Sequence, residues 1–144
     1  MSVFADSSAV VKLYVDEHDS DLIREHPVLI VSAIARVEVV SAIWRKVVDG
    51  DLPLRDAETI LSQFEADFAG NEASRLAAVS VGEVVLKLAT RMVRVHSLRT
   101  LDALQLASAL AVREADPECR EFASFDRKLN DSASRQGFAV ITSS

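Results

Sequence analysis

Short apolar runs alternate with longer amphipathic stretches along this chain, and that alternation restricts the possible folds more than any other feature. Val3–Ala5 ends at Asp6, and Ser8–Val15 then carries helical periodicity. A short helix over Asp19–His26 precedes Val28–Val31, an uncharged, β-branched run after Pro27 that reads as the clearest strand. Ile34, Val37, Val40, Trp44 and Val47 recur at helical spacing over Ile34–Val48, until Gly50 stops the run. The same reasoning predicts a helix over Pro53–Phe68, a strand over Leu76–Val81 and a helix over Gly82–His96. Thr100–Ala115 is a strongly apolar helix with Thr100 as its expected N-cap. A strand over Glu121–Phe125, a helix over Asp126–Gln136 and a strand over Phe138–Ile141 complete the pattern. Strands joined by helices point to the α/β class, as a three-layer α/β/α sandwich around a mostly parallel sheet.

The 144 residues show no repeat, low-complexity tract or linker, which predicts a single domain over residues 1–144. Hydrophobic residues make up 49% of them, enough for one core without disulfide or metal staples. The one cysteine, Cys119, excludes an internal disulfide, and no Cys/His cluster exists to bind zinc, so a reducing compartment fits. No uncharged stretch exceeds about ten residues, well short of the ~20 that span a bilayer. Asp6 and Lys12 also interrupt any N-terminal signal-like segment, so the expectation is a cytoplasmic protein with no membrane partner. The net charge of −6 argues against a general nucleic-acid binder. It leaves a nuclease open, because bound divalent cations neutralise clustered carboxylates.

Ligands of open α/β sheets bind beyond the carboxyl ends of the strands. Asp6 directly follows the first strand and Asp126 the fourth, so both are expected on that edge. Asp102 lies in the first turn of its helix, an end that can face the same way. Glu38 is one turn into its own helix, near Ile34, Ser41 and Ala42, surroundings small or apolar enough to predict partial burial. Clustered carboxylates raise one another's pKa and need a counter-charge. Mg²⁺ supplies one, since it prefers carboxylate oxygens and water and bridges to phosphate. Two such ions ~3.5–4 Å apart can activate a water and stabilise the leaving oxygen of a phosphodiester. His18, His26 and His96 fall away from the strand ends, which leaves a metal-activated water as the expected nucleophile. Each acid also has a purely structural reading. Asp6 and Asp126 suit N-caps, Asp102 suits a helix dipole, and Glu38 suits an ion pair with Arg45 or Lys12. These are four of 22 acidic residues, so the metal reading rests on their joint placement.

The segments that hold them are Phe4-Ala5-Asp6-Ser7-Ser8-Ala9, Arg36-Val37-Glu38, Arg99–Ala107 (RTLDALQLA) and Phe122–Leu129 (FASFDRKL). In this order they resemble PIN-domain proteins, specifically the VapC-type toxins of prokaryotic toxin–antitoxin modules, over essentially the whole chain. The resemblance implies a PIN-like fold with a central five-stranded sheet and a Mg²⁺-dependent endoribonuclease, with Mn²⁺ as a substitute. It implies metal coordination by Asp6, Glu38, Asp102 and Asp126, supported by the hydroxyls of Ser8 and Ser124. It further implies an RNA substrate, a homodimer, and a cognate antitoxin laid over the active-site groove. Gln105 stands where this family often carries His.

Arg36, Arg99, Arg127 and Lys128 lie beside the acids in sequence, where they either contact RNA phosphates or a partner, or are solvated surface charges. Trp44 fits the core or an interface. The apolar residues of Pro53–Phe68 suit core packing or a groove for an antitoxin helix. A haloacid-dehalogenase phosphohydrolase would need a second Asp where Ser8 stands, and a receiver domain would need an acidic pair that is absent. The alternative from another class is a catalytically silent PIN-like interaction module.

Overall fold

The computed structural model describes residues 2–141. Five strands, β1 (Ser2–Ala5), β2 (Leu29–Ser32), β3 (Leu76–Val79), β4 (Cys119–Ala123) and β5 (Ala139–Ile141), form one sheet in the order β3-β2-β1-β4-β5. Every neighbouring pair is parallel, so the expected mostly parallel sheet is parallel throughout. The helices are α1 (Ser7–Tyr14), α2 (Ser20–Arg24), α3 (Ala35–Val48), α4 (Leu54–Phe68), α5 (Glu83–His96), α6 (Thr100–Ala115) and α7 (Arg127–Arg135). None is long and apolar enough to cross a membrane.

Helices cover both faces of the sheet, which is why its central strands are apolar on both sides. Val3 and Ala5 of β1 and Leu29 and Val31 of β2 enter one core with Val10, Val39, Ile43 and Phe64. Phe4 and Phe122 enter the opposite core with Met92, Leu106 and Leu129, and their two rings stack at 5.7 Å between centroids. Adjacent residues thus divide between two layers, as the alternation of a strand requires. Gly50 adopts φ +80° just beyond α3, a left-handed conformation that costs glycine little.

Several expected boundaries shift for physical reasons. β4 ends at Ala123, not Phe125, because its partner β1 ends at Ala5 in the same register. Asp126 therefore lies past a short connection through Ser124 and Phe125. β3 likewise stops at Val79, opposite the last residue of β2. Arg99, not Thr100, occupies the N-cap position of α6, and no side chain caps that helix. Trp44 is 47% exposed and so does not belong to the core. In α4, Ala57 and Phe64 are buried while Ile60 and Leu61 pack on the same core. Core packing accounts for that face.

Candidate active site

β1 and β4 are adjacent and parallel, so their carboxyl ends open on the same edge of the sheet. The Asp6 amide donates to the Ala123 carbonyl at 3.0 Å and pins the residue just past β1. Its side chain then caps α1, as Oδ1 accepts from the Ala9 amide at 3.0 Å. Ser8 Oγ donates to the same oxygen at 2.7 Å, and Ser124 Oγ donates to Oδ2 at 2.6 Å. The carboxylate is only 5% exposed. Burial pushes its pKa from 3.8 up to about 6, against the opposing hydrogen bonds from Ser124, Ser8 and Ala9, and the Glu38 charge adds to the rise.

Asp126 caps α7, where its Oδ1 accepts from the Leu129 amide at 2.8 Å. Its own amide donates to Ser124 Oγ at 3.0 Å, so one serine hydroxyl joins the ends of β1 and β4. Ser8 adds a second link, since its oxygen accepts from the Phe125 amide at 3.0 Å. Both strand-end acids are therefore N-caps, and both are also gathered at one edge.

Glu38 comes from α3. Its Oε1 accepts from Ser7 Oγ at 2.8 Å and from Gln105 Nε2 at 2.8 Å. The purely structural alternative, an ion pair with Arg45 or Lys12, is not made among the described residues: Lys12 Nζ donates to the His18 carbonyl at 2.7 Å and stands 4.7 Å from the Phe125 ring centroid. Glu38 is half-buried, as expected, but its immediate partners are polar rather than small and apolar. Asp102 sits half-buried in the first turn of α6. Burial raises its pKa first, then the charges of Asp126 and Glu38, while Arg99 and Lys128 pull it down. Asp102 thus lies within electrostatic reach of two of the other acids.

Among the described residues, no salt bridge neutralises any of these four acids. Their oxygens, with nearby hydroxyls, form a hard donor set suited to Mg²⁺ or Mn²⁺. No three acidic, histidine or cysteine side chains among the described residues already stand as a closed metal cage. Mg²⁺ usually keeps several waters and takes one or two carboxylates at a time, so a closed cage is not a requirement for it.

Residues 3–134 match the PIN domain family. The chain belongs to that family. It is 34% identical to Ribonuclease VapC46 of Mycobacterium tuberculosis over 149 aligned positions, which cover 99% of this chain and 98% of that protein. That relationship makes it a VapC-type PIN domain. Its fold is shared with VapC20 of Mycobacterium tuberculosis, described as a sarcin–ricin loop cleaving toxin, at TM-score 0.64 and 17% identity, with 96% of this chain and 97% of that one covered. PAE2754 of Pyrobaculum aerophilum gives TM-score 0.58 at 18% identity, with 97% and 90% covered.

The basic residues of this PIN domain divide into two groups. Arg36, expected beside the acids, instead pairs with Glu65 at 3.1 Å and stands 6.0 Å from the Phe68 ring. It lies two residues from Glu38, and that spacing puts the two on different faces of α3. Arg99 and Lys128 stay close enough to lower the Asp102 pKa, and Lys128 Nζ also donates to the Ser97 carbonyl at 2.8 Å. Arg127 is exposed at the start of α7. The histidines are occupied elsewhere: His18 beside Asp19, His26 beside Glu25, and His96 against Gln136.

Ser7 and Gln105 were not singled out as site residues from sequence. A signal existed for Gln105, which interrupts the apolar run Ala103–Val112 one turn after Asp102, on the same face of α6.

Proposed function

We propose that this PIN domain is the ribonuclease toxin of a toxin–antitoxin pair. It hydrolyses RNA phosphodiester bonds with Mg²⁺, or Mn²⁺ in its place, held by Asp6, Glu38, Asp102 and Asp126. The observation that carries the reading is the Asp6 carboxylate, which is buried, raised in pKa and without a cationic side chain beside it among the described residues. A carboxyl kept in that state next to other acids has the character of a functional ligand. Similarity to a VapC ribonuclease along nearly the whole chain supports the reaction class.

A carboxylate offers about four acceptor positions. Ala9, Ser8 and Ser124 use three of those on Asp6, two on Oδ1 and one on Oδ2, which leaves Oδ2 with capacity for an ion. When bound, Mg²⁺ supplies charge neutralisation, a hold on phosphate oxygens and a lowered pKa for a water. Arg99 and Lys128, on the side of Asp102, offer positive charge to the RNA backbone. Arg127, exposed at the start of α7, is a further cation open to an RNA phosphate.

An exposed apolar stripe on α3 supports the homodimer and the antitoxin. Val37 is 73%, Trp44 47% and Val48 72% exposed, and their spacing sets them along one side of the helix, where an apolar strip suits a protein partner. RNA cleavage in the cytoplasm, restrained by the antitoxin until needed, is the activity that follows.

The test is cleavage of RNA by the purified protein with Mg²⁺ or with EDTA. Cleavage is expected only with the metal. Asp6→Asn and Asp102→Asn should each reduce it beyond the roughly 10–100-fold that loss of a ligand-orienting group costs. The same substitutions should relieve growth arrest on expression. The open spacing of the acids is the one observation on the side of a catalytically silent PIN-like interaction module. Wild-type protein that binds no divalent metal and degrades no RNA would establish that alternative.

A further inference from the structure

Asp6 and Asp126 are each oriented by a backbone amide, from Ala9 and Leu129. Glu38 has no such donor, and its orientation comes from two side chains. Ser7 Oγ and Gln105 Nε2 both donate to Oε1 at 2.8 Å, and Gln105 Nε2 also donates to Ser7 Oγ at 2.9 Å. This closed triangle joins the start of α1, the first turn of α3 and the face of α6 that carries Asp102. It therefore ties helices from both layers of the sandwich at the edge of the sheet.

Gln105 maintains it at a cost. The residue is 2% exposed, yet its carbonyl Oε1 is buried without a hydrogen-bond partner. Turning the amide over would satisfy nothing, because it would set that carbonyl against the Glu38 carboxylate. A leucine in this buried position would carry no unpaired polar atom of its own. The polar residue is explained by what its N–H group does for Glu38.

We propose that Gln105 and Ser7 are positioning residues, which hold Oε1 of Glu38 so that Oε2 stays available to the metal. Oε2 has no hydrogen-bond partner among the described residues, in keeping with that division. The inference rests on the metal-dependent nuclease reading and adds to it the residues that set one ligand.

The decisive variant is Gln105→Leu, because a structural role and a positioning role predict opposite patterns. With EDTA present, its thermal midpoint should stay within a few degrees of that of wild type, since removal of the unpaired buried carbonyl offsets loss of the two Nε2 hydrogen bonds. Its dissociation constant for Mn²⁺, read by electron paramagnetic resonance, should rise roughly 10–100-fold. RNA cleavage should fall by a similar factor at limiting metal and recover largely at saturating metal. Gln105→His, which restores a donor, should return Mn²⁺ affinity, whereas Gln105→Glu should not. Wild-type Mn²⁺ affinity in Gln105→Leu overturns the proposal, as does a loss of stability and affinity together that His fails to rescue. If Gln105→Leu does not fold, Ser7→Ala takes its place, with the same rise expected and wild-type affinity again overturning the idea. Should wild type itself bind no Mn²⁺ and cut no RNA, the nuclease reading falls and takes this inference with it, an outcome visible in the control.

Discussion

Asp6 and Asp126 do the same local work at the ends of neighbouring strands, and the fold treats them differently. Each caps the helix that follows, through the Ala9 and Leu129 amides, and each is bonded to the single hydroxyl of Ser124. Asp6 follows the central strand immediately and is enclosed, whereas Asp126 comes after a two-residue connection and is exposed. A helix cap needs only a few consecutive residues. Burial of a carboxylate needs the surrounding elements to close over it. The contrast shows that capping explains why an acid stands at either position, but not why Asp6 is held where its charge is costly. That cost is the mark of function, since a surface aspartate would cap α1 as well.

The largest expected effect separates the two acids by pH. Folding raises the Asp6 pKa from 3.8 to about 6, so between those values the folded protein binds more protons than the unfolded chain. Stability from this group is present at low pH and is lost as pH rises through about 6. The loss comes to about 3 kcal/mol in metal-free protein. Urea denaturation in EDTA from pH 4 to 7.5 should show wild type declining relative to Asp6→Asn by about that much. A constant difference between the two proteins across this range would show that Asp6 is not buried as described. Asp126 should instead reveal its cap. Asp126→Ala should lower stability by about 1 kcal/mol in the same assay, and Asp126→Asn should retain most of it. A much larger loss in Asp126→Ala would mean that it shares the enclosed character of Asp6. The smallest effect belongs to Arg36, which is tied to Glu65 away from both acids. Arg36→Ala should cost no more than about 0.5 kcal/mol, and RNA cleavage under metal saturation should stay at wild-type level.

The apolar alternation located β1, β2, β3 and β5 within a residue or two, because a parallel sheet covered on both faces leaves that trace. It misjudged the end of β4, since Phe125 continues the apolar run but has no strand partner once β1 stops at Ala5. Asp6 and Asp126 were legible as acids at strand ends and as caps, both local properties. Adjacency misled at Arg36, because residues two apart on a helix point to different sides. It was equally unhelpful for Glu38, whose neighbours in sequence say nothing of Ser7 or Gln105.

Local chemistry, read from the sequence by itself, determined the order of strands and helices, the layered α/β class and the acids that start helices. Periodicity and capping depend on residues a few positions apart, so they need no knowledge of the packed chain. Tertiary structure alone decided which carboxylate is buried and what holds each one. The hydrogen bond from Ser124 to Asp6 spans 118 positions, and the one from Gln105 to Ser7 spans 98. Such bonds exist only after β1 has paired with β4 and α6 has closed over the sheet. The raised pKa of Asp6 and the side-chain clamp on Glu38 both follow from that closure.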